Sequence, residues 1–250
     1  KTGLGNARAD LAFEMGRRGR ARGVVAWLQR VAYDTYRLMT AWFTNHRVDR
    51  PRLHHRRALL STRGDGSVPT LVTTPKGMRV VVRTGAGRLV VFRHSRPSPL
   101  SRWTRSRARI TDAGPQLSAV HLASRGIFAA TQVSNRSWIK VIRFLPRAGR
   151  TRVVGLFKGY AQPTVAGRGS KVWVLMVRLR DGALVSRRLT VGFGWSKRDR
   201  VEIAAAPDAS YLWPNAFRRA GPRLRVLVQG RRCPTNPKAN QVVAYQRVLR

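Results

Sequence analysis

From residue 69 onward, short apolar runs rich in Val, Ile, Leu and aromatic residues alternate with polar turns of Gly, Ser, Asn, Asp and Arg. A proline opens each cycle, at Pro69, Pro115, Pro163 and Pro207, with spacings of 46, 48 and 44 residues. The first cycle holds Thr70–Val72, Met78–Arg83 and Arg88–His94, hinged at Gly85-Ala86-Gly87, and then Arg107–Thr111. The second holds Gln116–Val120, Gly126–Thr131, Ser137–Phe144 and Thr151–Leu156, with Ser134-Asn135 at its central turn. The third holds Thr164–Ala166, Lys171–Arg178, Ala183–Leu189 and Arg200–Ile203, with Arg180-Asp181-Gly182 as the turn. The last holds Ala209–Leu212, Leu224–Gln229 and Gln241–Val248, its hairpin loop enlarged by Arg231–Asn240. Short β-branched and aromatic runs separated by Gly, Asn and Asp turns predict antiparallel strands joined by hairpins. Repeated units of ~40–50 residues with four strands each predict an all-β chain, a β-propeller of about five four-stranded blades, because one blade must stack on its neighbours to bury its faces.

Residues 1–67 form a basic N-terminal segment that admits two readings, ahead of a repeat-built body over 68–250. Asp10–Met15, Arg22–Val31, Tyr36–Phe43 and Arg57–Ser61 fit a further blade, with Arg57–Ser61 preceding Pro69 as Arg107–Thr111 precedes Pro115. Alternatively, Val24, Trp27, Leu28, Val31, Leu38, Met39, Trp42 and Phe43 fall close to a 3.6-residue period, which predicts a basic amphipathic helical arm. The blade is the preferred reading. The last unit lacks a fourth run, so either the N-terminal segment completes the ring or the chain is a piece of a larger propeller.

The third cycle carries Arg178, Asp181, Gly182, Leu184 and Trp195 at the places of an apolar strand ending in Arg, an Asp-Gly turn, a Leu, a second strand and a Trp. In this it resembles the repeat of the PLL-type and tachylectin-like sugar-binding β-propellers. The first cycle fills the same places with Arg83, Gly87, Leu89 and Trp103, with Ala86 where Asp is expected. The opening Leu4-Gly5-Asn6 followed by Ala9-Asp10 is similar to the inter-blade linker of such repeats. The resemblance implies a toroidal fold and glycan sites between blades.

Charge changes the functional picture. Fifty Lys+Arg stand against ten acidic residues, a formal net charge of +40. Lysine occurs only at 1, 76, 140, 158, 171, 197 and 238, so 43 of the fifty are arginine. Self-repulsion on this scale calls for a counter-charge, and guanidinium grips phosphate bidentately and stacks on bases. The basic runs Arg17, Arg18, Arg20 and Arg22; Arg50, Arg52, Arg56 and Arg57; Arg102, Trp103, Arg105 and Arg107; and Arg218, Arg219 and Arg223 fall largely in predicted loops. They are the candidate nucleic-acid-binding residues, with Trp103 and Trp213 placed to stack on bases. Trp27, Trp138 and Trp173 sit in predicted strands as core residues, and packing between blades is the expected role of Trp195 and the preferred alternative to stacking for Trp103.

Candidates for other chemistry are weaker. The closest acid pairs, Asp10 with Glu14 and Asp199 with Glu202, are local and lie beside arginines that would satisfy them. Glycoside hydrolysis needs two carboxylates across a substrate, and the sequence shows no such pair. Asp181-Gly182 reads as a hairpin turn. His46, His54 and His55 lie among arginines that repel a cation, so no metal site is expected, and Cys233 lacks a base partner. Ala166–Lys171 has Gly and Lys without P-loop spacing and reads as an inter-strand loop, so no cofactor is expected. No apolar run reaches the ~18 residues of a membrane span. The chain begins at Lys1, and the expectation is that an upstream segment has been removed.

These readings combine into one expectation: a non-enzymatic scaffold that holds RNA, or another polyanion, within an intracellular ribonucleoprotein such as an organellar ribosome, and touches neighbouring proteins there. The alternative is a lectin-like propeller that binds neutral or acidic glycans between blades.

Overall fold

A computed structural model describes residues 6–15, 21–32, 35–44, 47–48, 52–53, 60–61, 69–74, 77–83, 87–93, 104–105, 112–122, 125–133, 136–145, 151–190, 192, 194–205, 209–218, 224–232 and 242–249. These residues are organised as strands and turns, with no helix among them. The chain divides into two compact units, residues 1–117 with 147–151, and residues 118–146 with 152–250.

The first unit opens with three long strands, β1 (Asn6–Met15), β2 (Ala21–Ala32) and β3 (Thr35–Thr44). Three short segments, β4 (Arg47–Val48), β5 (Arg52–Leu53) and β6 (Leu60–Ser61), then pair in turn along β3. The helical reading of this segment fails for a physical reason. The period that relates Val24, Trp27, Leu28 and Val31 coexists with strict alternation at Val24, Ala26 and Leu28, which are buried on one strand face. Pairing of Val24 with Trp42 and Leu28 with Leu38 then supplies the backbone hydrogen bonds a helix would have made internally.

A second sheet of the same unit contains β7 (Thr70–Thr74), β8 (Gly77–Arg83), β9 (Leu89–Arg93) and β10 (Thr104–Arg105) in the order β10-β9-β8-β7. Val80, Val81 and Val82 are all fully buried, as expected of a central strand covered on both faces. Val24, Leu28, Leu38 and Trp42 of the first sheet share a core with Leu71, Val80, Val82, Val90 and Phe92 of the second.

The second unit continues the up-and-down pattern. A third sheet runs β11 (Ala113–Leu122), β12 (Gly126–Val133), β13 (Trp138–Phe144) and β14 (Thr151–Lys158), the first strand shared in sequence with the preceding unit. A fourth runs β15 (Tyr160–Arg168), β16 (Lys171–Arg178) and β17 (Leu184–Thr190), after which two segments, β18 (Gly194–Trp195) and β19 (Arg200–Ile203), both pair with β17. The fifth has β20 (Ala209–Arg218), β21 (Leu224–Arg232) and β22 (Val242–Leu249). The expectation of four-stranded antiparallel units is met in sheets two and three.

Two core groups hold the third and fourth sheets together. Ala130, Ile139, Val141 and Phe157 meet Val165, Val174, Met176 and Val185, while Leu122 and Phe128 meet Val172 and Leu189. A polar staple accompanies them: the hydroxyls of Ser118 and Thr164 lie 2.9 Å apart, and Val165 N donates to Ser118 Oγ at 3.1 Å. Among the described residues no helix is long and apolar enough to cross a membrane.

Candidate functional site

The functional geometry of the second unit gathers where the fourth sheet begins and turns. The Asp181-Gly182 dipeptide makes the hairpin between β16 and β17, as its sequence predicts. Gly182 adopts φ +74°, a left-handed conformation that side-chain-bearing residues rarely take, and its N–H donates to Arg178 O at 2.7 Å. This tight turn places the Asp181 carboxylate against the Arg178 guanidinium, with Arg178 Nη2 donating to Oδ2 at 2.6 Å and Nε reaching both oxygens at 3.0 Å. Ala183 N also donates to Asp181 Oδ1 at 3.1 Å.

The corresponding strand-end arginine of the first cycle, Arg83, is anchored as well. Arg83, buried at the end of β8, donates from Nε to Ala113 O, and Ala113 N donates to Gly87 O at 2.8 Å. The strand-end arginine thus keeps an anchoring role, with a backbone carbonyl among its partners.

A second carboxylate lies deeper. The fourth strand of this sheet is interrupted, and residues 196–199 between β18 and β19 carry Asp199 back over β17. Asp199 accepts from Tyr160 Oη at 2.7 Å, from Arg187 Nε at 2.7 Å and from Arg178 Nη1 at 3.4 Å. Its side chain is only 11% exposed. Arg178 therefore bridges both carboxylates, Asp181 and Asp199.

Titration follows from these contacts. Burial is the largest influence on Asp199 and pushes its pKa up, but the hydrogen bonds from Arg187 and Tyr160, with the nearby guanidinium charges, outweigh it and hold the carboxyl below its usual range. The Arg178 hydrogen bonds hold Asp181 at about 2, from an ordinary 3.8. Burial, followed by the bond to Asp199, raises the Tyr160 phenol above 10.0, so the hydroxyl remains a donor at neutral pH. A carboxylate whose folded pKa is depressed stabilises the fold above its unfolded value and loses that contribution as pH falls through the folded one. For Asp181 this window lies between 3.8 and about 2. The thermal midpoint should accordingly fall with acidification across that window, and Asp181→Asn should flatten this limb in a calorimetric pH series.

Around this floor opens a cleft of about 530 Å³, lined by Gly159, Tyr160, Leu179, Arg187 and Asp199, with Lys158, Arg180 and Arg198 among its cationic residues. Its base is fixed by backbone bonds: Gly159 N donates to Ser137 O at 2.7 Å, and Leu179 N donates to Gly159 O at 3.0 Å. Beside it, the Lys158 ammonium lies 4.6 Å from the Trp138 ring centroid, as does the Arg136 guanidinium. Trp138 is half-buried and Trp173 buried. Trp195 packs as expected, edge-on to Phe157 at 5.0 Å and 87°, its Nε1–H donating to Val154 O. Gly155 makes this approach feasible, since a Cβ there would come within 2.9 Å of the indole nitrogen.

The described residues that line this cleft are not ones the sequence singled out as nucleic-acid contacts. Arg22 lies in β2, in the run the sequence starts at that residue, whereas Arg52, Arg105 and Arg218, expected in loops, lie in strands β5, β10 and β20. Arg17, Arg18, Arg20, Arg50, Arg56, Arg57, Arg102, Trp103, Arg107, Arg219 and Arg223 lie outside the described residues, as do His46, His54, His55 and Cys233. No group of three or more His, Cys, Asp or Glu that would hold a metal occurs among the described residues. The signal missed in the sequence was the scarce acid itself. Asp199 was matched to adjacent arginines, whereas its partners Arg178 and Arg187 come from other strands.

No family model matches the sequence, and no curated protein matches it. Solved structures do match the fold. The fucose-specific lectin from Aleuria aurantia aligns at 12% identity and a TM-score of 0.55, over 98% of this chain and 78% of the lectin. The Cellvibrio cellulosa alpha-L-arabinanase, complexed with arabinohexaose, aligns at 10% identity and a TM-score of 0.53, over 98% of this chain and 96% of that one. Bacteroides ovatus Xyloglucan PUL GH43B aligns at 12% identity and a TM-score of 0.51; this chain is covered over 98% but spans only 52% of that protein.

These matches correct two expectations. The ribonucleoprotein scaffold is overturned, because the proteins sharing the fold include a lectin and glycoside hydrolases. Net charge measures how strongly any polyanion is attracted and does not choose among polyanions. The non-enzymatic expectation is overturned as well, since enzymes share the fold. Its ground was that the sequence shows no carboxylate pair placed across a substrate, but stacked sheets bring together residues remote in sequence, and no spacing rule reveals them. At this level of identity the likenesses bear on architecture: the chain has a β-propeller fold.

Proposed function

We propose that this chain is a carbohydrate-recognising β-propeller whose saccharide site is the cleft built on Tyr160, Arg178, Arg187 and Asp199. The cleft carries the reading. It is concave, its polar groups are fixed in place before any ligand arrives, and it combines donors with an ionised acceptor over a small apolar surface at Leu179. Sugar hydroxyls both donate and accept, so a rigid carboxylate flanked by guanidinium groups can meet a vicinal pair without reorganising. The fucose-specific lectin and the arabinanase that share the fold support a glycan ligand. The likeness of the Arg178, Asp181, Gly182 and Trp195 pattern to PLL-type and tachylectin-like repeats supports it further.

The test is titration of the purified chain with a panel of neutral and acidic oligosaccharides by calorimetry, with chromatography of the same mixtures for cleaved products. Saturable binding that Asp199→Asn abolishes supports the site. Product release that the variant also abolishes would assign hydrolysis to it. Absence of saturable binding to any saccharide overturns the reading.

A further inference from the structure

We infer that the cleft selects a saccharide carrying an anionic substituent, a sulfate ester or a carboxylate, and that Arg180 and Arg198 supply the selecting contacts. The inference rests on the glycan reading above and adds the chemical class of ligand. Five cationic side chains line the cleft, Lys158, Arg178, Arg180, Arg187 and Arg198, against one lining carboxylate, Asp199. Two of the five are already committed: Arg178 is held by Asp181 and Asp199, and Arg187 by Asp199. Both are partly buried, at 15% and 25% side-chain exposure, so their role is to position the floor.

Lys158, Arg180 and Arg198 are exposed around the same opening. Lys158 is engaged with the Trp138 ring, which leaves the two arginines as the planar forks best shaped for a tetrahedral or planar oxyanion. They approach from different segments, Arg180 on the β16–β17 turn and Arg198 on the loop before β19, so an anion between them is gripped from two sides. A neutral sugar would leave this excess positive charge uncompensated.

The chain's overall charge attracts any polymer, so the probe must be small. A sulfated disaccharide, its desulfated neutral counterpart and an unsulfated uronate-containing disaccharide are titrated into the full chain at about 0.15 M salt, where charges beyond ~8 Å are largely screened. The sulfated or the uronate probe should bind roughly tenfold or more tightly than the neutral one, and the doubly substituted Arg180→Ala, Arg198→Ala chain should lose that advantage. Which of the two charged probes binds more tightly identifies the oxyanion. Arg168→Ala is the control. This exposed arginine closes β15 at the end opposite Tyr160, eight residues and roughly 26 Å away, and its loss should change affinity by less than about twofold.

Equal affinity for charged and neutral probes would overturn the inference and leave the glycan reading standing. An equal loss in the Arg168→Ala control would overturn it too, by showing attraction to the surface at large. If none of the three disaccharides binds, the inference falls, and the wider oligosaccharide panel then decides the glycan reading separately.

Discussion

Asp199→Asn should lower the thermal midpoint by roughly 5–10 °C and remove ligand binding at the cleft, the first from a loss of about 2–3 kcal/mol in a chain of this size. The carboxylate accepts from three donors, two of them guanidinium groups, at 2.7–3.4 Å. An amide of the same shape has one acceptor oxygen, and its NH2 would face donors. Two charged groups would then be left partly buried without their counter-charge, and that desolvation cost is the main part of the effect. The loss stays below that of a fully buried pair because Arg178 and Arg187 retain some contact with water. Scanning calorimetry with the same oligosaccharide titration checks both halves. A midpoint within about 1 °C of the parent would show that the network does not stabilise the fold.

Phe128→Ala should destabilise the second unit by about 3–5 kcal/mol, the largest effect expected of a single truncation here. Phe128 is fully buried in β12, packed with Leu122, Val172 and Leu189 from three other strands. Central strands of stacked sheets have little room to relax, so most of the ring's volume would persist as a cavity. The Arg143 guanidinium, 5.6 Å from the ring centroid, would also lose its aromatic partner. Denaturant unfolding should show a lower midpoint. The loss should be nearly independent of pH between 4 and 8, unlike the acid limb tied to Asp181, because no titrating group faces a new charge.

Strand positions were legible because local chemistry sets them. Lys171–Arg178 and Arg200–Ile203 were read from the sequence with the ends the structure shows, since Gly169-Ser170 and Asp181-Gly182 punctuate one and a polar loop precedes the other. Strand starts at Pro115 and Pro163 were read too late. β11 begins at Ala113 and β15 at Tyr160, so both prolines lie inside strands. Each of these is the first strand of its sheet, where a residue without an N–H can face away from the ladder, and at Pro163 the register slips between Ala161 and Thr164. The long strands 21–32 and 35–44 were ambiguous because a dense apolar segment satisfies both periods, and only cross-strand pairing separates them.

The all-β repeat, the Asp-Gly hairpin and the strong positive charge are legible in the sequence, because each rests on local chemistry or composition. The tertiary structure alone decided which charges matter together. Tyr160, Arg178, Arg187 and Asp199 are spread over 39 residues and four segments of the fourth sheet, and they meet because antiparallel pairing folds the chain back on itself. Composition counts cations and acids, whereas function depends on which few of them share a low-dielectric surface, and that is set by packing between strands remote in sequence.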